Sequence, residues 1–435
     1  VREGGTSGDF PMTGDRLGWF EVNGRWMAWG VLLLVVAVYY PRFIKHPDGM
    51  VLYPEAAGCL LAERAMAECA PRFTYPPTFA FLMIPFVPMP MWLRNLVWYA
   101  LSISVIVWSV RLCESLTLQA TGLERDRRIL WWFRGLSLLF SLKFILAVLE
   151  NQAYDYLVFF LIVVGIRAVV TRNGALVSLS LAGAAALKAT PVLFFPYLFY
   201  RKRWLLACAT VVAFVGLSLL PDLFFSPSAG QSTYIGGWLF GIAGASLAGG
   251  GHVGAAQYFG GGENPLNQSL RSFVYRLVQA AGLLPYFHVA LYAAYLVVLI
   301  AVWDVVRRSA RLEASWLLDT SAILVAMLLL SPMSSKSHFI TLVLPYMLIV
   351  AVLCQRGHLR RSVGVLLGVS FALNSLTSRT IVGDAASDVL LSMGCVTIGT
   401  ALVGVMIWLI VIDGTRSLPE GGSAPRGPQA ADVLA

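Results

Sequence analysis

Residues 26–41, WMAWGVLLLVVAVYYP, run across a single arginine into residues 43–56, FIKHPDGMVLYPEA. The first stretch is uncharged and approaches the ~20 apolar residues that a helix needs to cross a bilayer. The second holds Lys45, His46 and Asp48, the first acid after the run, with Tyr53 and Glu55 just downstream. The chain thus reads as a membrane span that emerges directly into a polar cluster.

Apolar runs of the same kind recur along the 435 residues, which are 58% hydrophobic and 13% charged, with a mean hydropathy of +0.74. A soluble domain carries about 25% charged residues. The runs are continuous and of helical length, whereas a membrane β-barrel alternates in short segments. The expected fold class is therefore an all-α polytopic membrane protein. The net charge of +9 does not indicate a nucleic-acid partner, because the basic residues collect in short loops between runs, the pattern of cytoplasmic loops. Those loops hold Arg25, Arg127/Arg128/Arg134, Arg167/Arg172, Arg201–Arg203, Arg307/Arg308/Arg311 and Arg356–Arg361.

Threading helices between them predicts spans near 26–41, 92–112, 134–149, 153–170, 174–187, 189–200, 203–220, 287–306, 316–331, 339–354, 361–377 and 391–412, about twelve with both ends inside. The resulting organisation is a cytoplasmic tail at 1–25, a membrane domain at 26–413 with outer loops at 42–91 and 221–286, and a disordered tail at 414–435. The proline-rich stretch 76–90 reads as an interfacial or re-entrant helix on the outer side. The arms 174–187 and 189–200 are too short for two full spans and read as a hairpin with Lys188 at its tip; irregular backbone at that depth must line a cavity or be buried. Cys59 and Cys69 share one outer loop, where a disulfide is one option. No Cys/His spacing for a metal is present, and no cofactor is implied.

Polar groups gather at the outer ends of the predicted spans: Asp48, Glu150-Asn151-Gln152, Asn267-Gln268 with Arg271, and Lys336 with His338. Lys188 joins them if the hairpin holds. Ionisable groups at membrane depth are expensive and are usually paired or functional. One acid among several cations suits an anionic phosphate ligand and a general base. Each group also has a structural reading: Asp48 as a helix cap, Lys188 as a snorkelling side chain, His338 as an interfacial histidine, and Asn267-Gln268 as loop caps.

The ordered set Asp48…Tyr53-Pro54-Glu55-Ala56-Ala57, Phe73-Thr74-Tyr75-Pro76-Pro77, Asn151-Gln152, Leu187-Lys188-Ala189-Thr190-Pro191, Asn267-Gln268-Ser269-Leu270-Arg271 and Ser331-Pro332-Met333-Ser334…His338 resembles glycosyltransferase family 87. These are polyprenol-phosphate-mannose-dependent enzymes of the GT-C superfamily, and the resemblance covers roughly residues 25–350. It implies a bundle of GT-C type, with outer-face loops and interfacial helices, in the plasma (inner) membrane. Its active site would lie on the extracytoplasmic side. The partners implied are a polyprenyl-phosphate sugar donor, a lipid or glycan acceptor and membrane lipids. Carried onto this sequence, the resemblance makes Asp48 and His338 catalytic. With such a donor, the polar groups gathered at the outer ends become candidates for holding its phosphate and the substrate: Lys188, Asn267, Gln268, Arg271, Lys336 and Gln152, together with Tyr75. The interval from Asp48 to Tyr53 is longer than the family's usual one, which keeps Glu55 open as the base. A transporter or flippase for a lipid-linked or anionic solute would use the same cations without chemistry, and a non-catalytic scaffold would use none of them.

Overall fold

The structure, a computed structural model, describes residues 37–45, 47–123, 126–227, 233–244, 262, 264–312, 315–355 and 360–416. All regular structure among them is helical. The chain forms two units, 1–46 and 47–435. Of the first, a helix over 37–45 is described, so most of the expected span at 26–41 lies outside the described residues. So do the tail at 1–25, much of the loop at 245–261, and residues 417–435. Everything below concerns the second unit.

Among the described residues, six helices are long and apolar enough to cross a membrane: Met91–Thr121, Arg127–Glu150, Trp204–Phe224, Leu284–Ser309, Lys336–Cys354 and Cys395–Thr415. Shorter helices stand between them, among them Asp155–Val170, Gly174–Leu187, Ser315–Leu330 and Arg360–Ser375. The protein is an all-α polytopic membrane protein. The sequence explains where the helices start and stop. Asp126 accepts the Arg128 and Ile129 N–H groups at 2.7 and 3.2 Å and opens the 127–150 helix, satisfying donors with no intrahelical partner. Asn173 does the same for Leu176 at 3.0 Å, and Ser269 for Ser272 at 3.2 Å. Gly122, at φ 61°, ends the 91–121 helix in the left-handed conformation that glycine adopts without a Cβ penalty.

The Gly174–Leu187 helix packs between Asp155–Val170 and Trp204–Phe224. Its sequence, GALVSLSLAGAAAL, supplies the small side chains that let membrane helices approach closely.

Three expectations are revised or sharpened. The stretch 76–90 is a six-residue helix, Pro77–Leu82, followed by a 3-10 turn, Ile84–Phe86. Six residues rise about 9 Å, far short of a bilayer. The span expected at 391–412 is the helix Cys395–Arg416, which starts four residues later because residues 391–392 close a separate helix, Asp384–Ser392. The two helices break at Gly394, which has φ 73°. At 174–200 the helix stops at Lys188, which is extended at φ −153° and ψ 129°, because Pro191 follows and disfavours a continuing helix. The chain restarts as a 3-10 turn, Thr190–Leu193, and a helix, Phe194–Tyr200. Lys188 therefore sits at a helix break, the tip expected of the hairpin.

Between the Asp48–Leu61 helix and the Met66–Cys69 turn, Cys59 and Cys69 form a disulfide with Cα atoms 5.9 Å apart. Tyr53, Phe73, Tyr75 and Phe79 from this region join Trp98 and Tyr154 in one aromatic cluster, with Phe79 stacked on Tyr154 at 4.0 Å between centroids. Edge-to-face pairs dominate it, as the ring quadrupoles favour.

Candidate active site

The helix that begins at Asp155 opens directly onto the break at Lys188. The Lys188 Nζ donates to Asp155 Oδ1 at 2.5 Å, and both side chains are largely buried. His338 Nε2 lies 3.8 Å from the same carboxylate oxygen. The three line one pocket with Thr190, Ser331 and Ser334. Tyr154, the residue before Asp155, donates its hydroxyl to the Leu187 carbonyl at 3.1 Å. That bond holds the two helix ends together, so acid and lysine meet by construction.

His338 is aimed by local sequence. In Ser335-Lys336-Ser337-His338 the Ser335 N–H donates to His338 Nδ1 at 3.3 Å, and the Ser335 side chain in turn accepts from the His338 backbone. This is a capping box in which histidine takes the place usual for Glu or Gln. With Nδ1 an acceptor, the hydrogen of the neutral ring is assigned to Nε2, the nitrogen that faces Asp155.

The loop that carries His338 is clamped from a distance. Asn267 Oδ1 accepts the N–H groups of Ser269 and Ser334, both at 3.1 Å. Asn267 Nδ2 donates to the Pro332 carbonyl at 3.2 Å. The Gln268 N–H donates to the Ser334 carbonyl at 2.7 Å, and its side-chain amide donates to Pro265 and Leu391 carbonyls at 2.6 and 2.8 Å. Asn267 and Gln268 are buried, and their bonds run to backbone.

Gln152 plays the same part on the other side. Its Oε1 accepts the Met50 N–H at 2.9 Å. Its amide donates to Asn95 Oδ1 at 3.0 Å, and its carbonyl accepts from the Trp98 indole at 3.0 Å. It sits at φ 48°, a region that non-glycine residues seldom occupy. Asp48 is the first residue of the helix so pinned and is exposed. Glu55, seven positions on, is also exposed.

Tyr75 reaches the site through the aromatic cluster, its ring 4.8 Å from Tyr154. Burial, then the neighbouring Asp155 carboxylate, push the Tyr75 phenol up, so it stays protonated. Tyr53 is likewise raised by burial, then by Tyr75 and Asp155. Two proposed site residues face elsewhere. Lys336 Nζ donates to the Thr377 carbonyl at 2.9 Å, beside Lys143, which bonds Asn374 and Thr377. Arg271 lies half-buried on the Leu270–Ala280 helix, within electrostatic reach of Tyr295.

Asp155 was not among the residues singled out from sequence. Its signal is slight: one acid at the head of an otherwise apolar run, three residues after Gln152. Chemically, the pocket joins an ammonium with donors to spare, an imidazole N–H and hydroxyl groups. Such a set binds oxyanions.

A polytopic helical bundle with a pocket of ammonium, imidazole, carboxylate and hydroxyl groups where two of its helices meet defines the class as a polytopic membrane protein with a polar internal site. The chain belongs to glycosyltransferase family 87, whose model matches residues 73–332, and it is a membrane glycosyltransferase. The matched segment contains Tyr75, Gln152, Asp155, Lys188, Asn267, Gln268 and Arg271; Asp48, Glu55, Lys336 and His338 lie outside it. No curated protein and no solved structure matches the chain.

Proposed function

We propose that the protein transfers a sugar, mannose by family resemblance, from a polyprenyl-phosphate donor to a hydroxyl of a lipid or glycan acceptor, on the outer face of the plasma membrane. The observation that carries this reading is the Asp155–Lys188–His338 pocket. There an ammonium and an imidazole N–H converge where a phosphate oxygen can be held. Asp48 takes the proton from the acceptor hydroxyl. The acceptor oxygen bonds to the anomeric carbon as the bond from that carbon to the phosphate oxygen breaks, with inversion. The phosphate leaves with the electron pair, its growing charge met by Lys188 and His338. The exposed position of Asp48, on a helix end held by Gln152, lets it reach an acceptor arriving from solvent. The Cys59–Cys69 bridge, on the same short loop, suits an oxidising compartment and so an outer placement.

The test is transfer from labelled polyprenyl-phosphate-mannose by the purified protein in lipid nanodiscs. Wild type releases polyprenyl phosphate and labels the acceptor. Asp48→Asn folds and loses at least a hundredfold in rate. Full activity in Asp48→Asn, with loss in Glu55→Gln, moves the base to Glu55. In proteoliposomes, donor carried across the bilayer uncleaved makes the protein a transporter instead.

A further inference from the structure

The pocket that faces the donor phosphate already contains an anion. Asp155 is 5% exposed and occupies the Lys188 ammonium at 2.5 Å. Its Oδ1 also stands 3.8 Å from His338 Nε2, too far for a hydrogen bond but near enough to attract the same N–H. Among the described residues, Asp155 is the one side chain bonded to the Lys188 ammonium. An ammonium has three N–H directions, so two remain for a ligand. His338 Nε2 faces the same carboxylate while Ser335 N–H meets Nδ1, and the Met333 backbone also lies within hydrogen-bond reach of the ring. An incoming phosphate therefore meets the right donors, and meets a carboxylate that shares them.

We propose that Asp155 is a built-in counter-ion that competes with the phosphate of a prenyl phosphate for Lys188 and His338, and so expels the lipid phosphate once the sugar has left. This rests on the reading of the pocket as a phosphate site. The competition has a physical need behind it. A pocket that holds a phosphate dianion between a buried ammonium and an imidazole N–H binds the product more tightly than the sugar phosphodiester, which carries one charge fewer. Without an opposing charge, such a site traps its product. With Asp155 in place, loss of the phosphate restores a neutral, hydrogen-bonded pair at no cost of an unpaired buried ammonium. Asp155 is held rigidly enough for this, since the Tyr154 hydroxyl ties its helix end to Leu187, one residue before the lysine.

The experiment measures binding of farnesyl phosphate, with farnesol as the uncharged control, to the full chain in nanodiscs. Asp155→Asn is expected to bind farnesyl phosphate at least tenfold tighter than wild type, with farnesol unchanged, and to show a burst of transfer followed by a slow steady rate. A merely structural role for Asp155 predicts weaker binding, so equal or weaker binding by a folded Asp155→Asn overturns the proposal. Lys188→Met is the separate control on the pocket itself. If it binds farnesyl phosphate as wild type does, the phosphate-site reading fails and the counter-ion falls with it. Weaker binding in Lys188→Met without tighter binding in Asp155→Asn rejects the counter-ion alone. Should Asp155→Asn not fold, Lys188→Met is compared with Lys188→Met/Asp155→Asn, in which no unpaired charge remains. Tighter binding by the double variant supports repulsion by Asp155, and equal binding overturns it.

Discussion

Gln152 Oε1 accepts the Met50 N–H at 2.9 Å, joining residues 102 positions apart and fixing the first turn of the Asp48 helix. Gly49 makes this approach possible. A Cβ at Gly49 would stand 2.8 Å from the Gln152 Cβ and 2.9 Å from its carbonyl oxygen, so an alanine there must push the helix end away. Gly49→Ala is expected to lower transfer at least tenfold while the protein still folds. Gln152→Ala removes the acceptor of Met50 and the donor to Asn95. Each buried group left unmatched costs about 1–3 kcal/mol. Rate and thermal midpoint, measured together in nanodiscs, check both variants. A Gly49→Ala enzyme as fast as wild type would mean that the placement of Asp48 does not depend on this contact.

The stretch Asp48-Gly49-Met50 shows how far the sequence could be read. An acid after the first span stood out because charge is rare in this chain. The reason for the glycine beside it lay in a partner at Gln152 that no local pattern announces. The same holds for the site. Lys188 was visible as a cation in a helix too short to span. Asp155 was not, because the first residue of an apolar run is counted with the span and its charge is offset only by the tertiary meeting with Lys188. Helix positions followed from run length and loop charge, and 174–187, 203–220 and 339–354 coincide with helices. The break at Gly394 was missed because the apolar run continues unbroken across it, while the turn is set by backbone conformation.

Asn267 is expected to matter for stability more than for ligand contact. Its side chain satisfies two N–H groups and one carbonyl of the segments 269 and 332–334. Asn267→Ala strands buried backbone groups, at about 1–3 kcal/mol each, and loosens the loop that carries His338. The thermal midpoint should fall by several degrees and transfer should fall with it, whereas affinity for the acceptor should hold. Asn267→Asp keeps the acceptor and loses the donor to Pro332, and is expected to fall between alanine and wild type.

The Cys59–Cys69 bridge closes a loop with a sequence separation of 10. Chain entropy assigns a loop of that size about 3 kcal/mol. Cys59→Ser/Cys69→Ser should therefore melt earlier than wild type. In intact cells, a membrane-impermeant maleimide should label this loop after reduction and leave it unlabelled before. Labelling that requires permeabilised cells would place the loop inside and would overturn the outer location proposed for Asp48.

At the other end of the 315–330 helix, Asp319 is fully buried and accepts hydrogen bonds from the Tyr197 hydroxyl and Arg201 Nε, each at 3.0 Å, and from Ser309. Arg201 also pairs with it through its second nitrogen. The cluster ties three segments, the end of 194–200, the end of 287–309 and the start of 315–330. Removing one partner of a buried ion pair leaves the other uncompensated, at about 3–5 kcal/mol. Asp319→Ala should thus shorten the protein's lifetime in detergent sharply. Arg201→Lys should do so less, since an ammonium keeps the charge but loses the paired geometry of the guanidinium. Asp319 and Ser331 are twelve helical steps apart, about 18 Å, so the pocket at the far end keeps its geometry in molecules that remain folded. Transfer per folded molecule, counted by size-exclusion recovery, should stay within about twofold of wild type, a change worth under half a kcal/mol of barrier. A tenfold loss per folded molecule would show instead that the Arg201 end and the Asp155 end of the bundle are coupled.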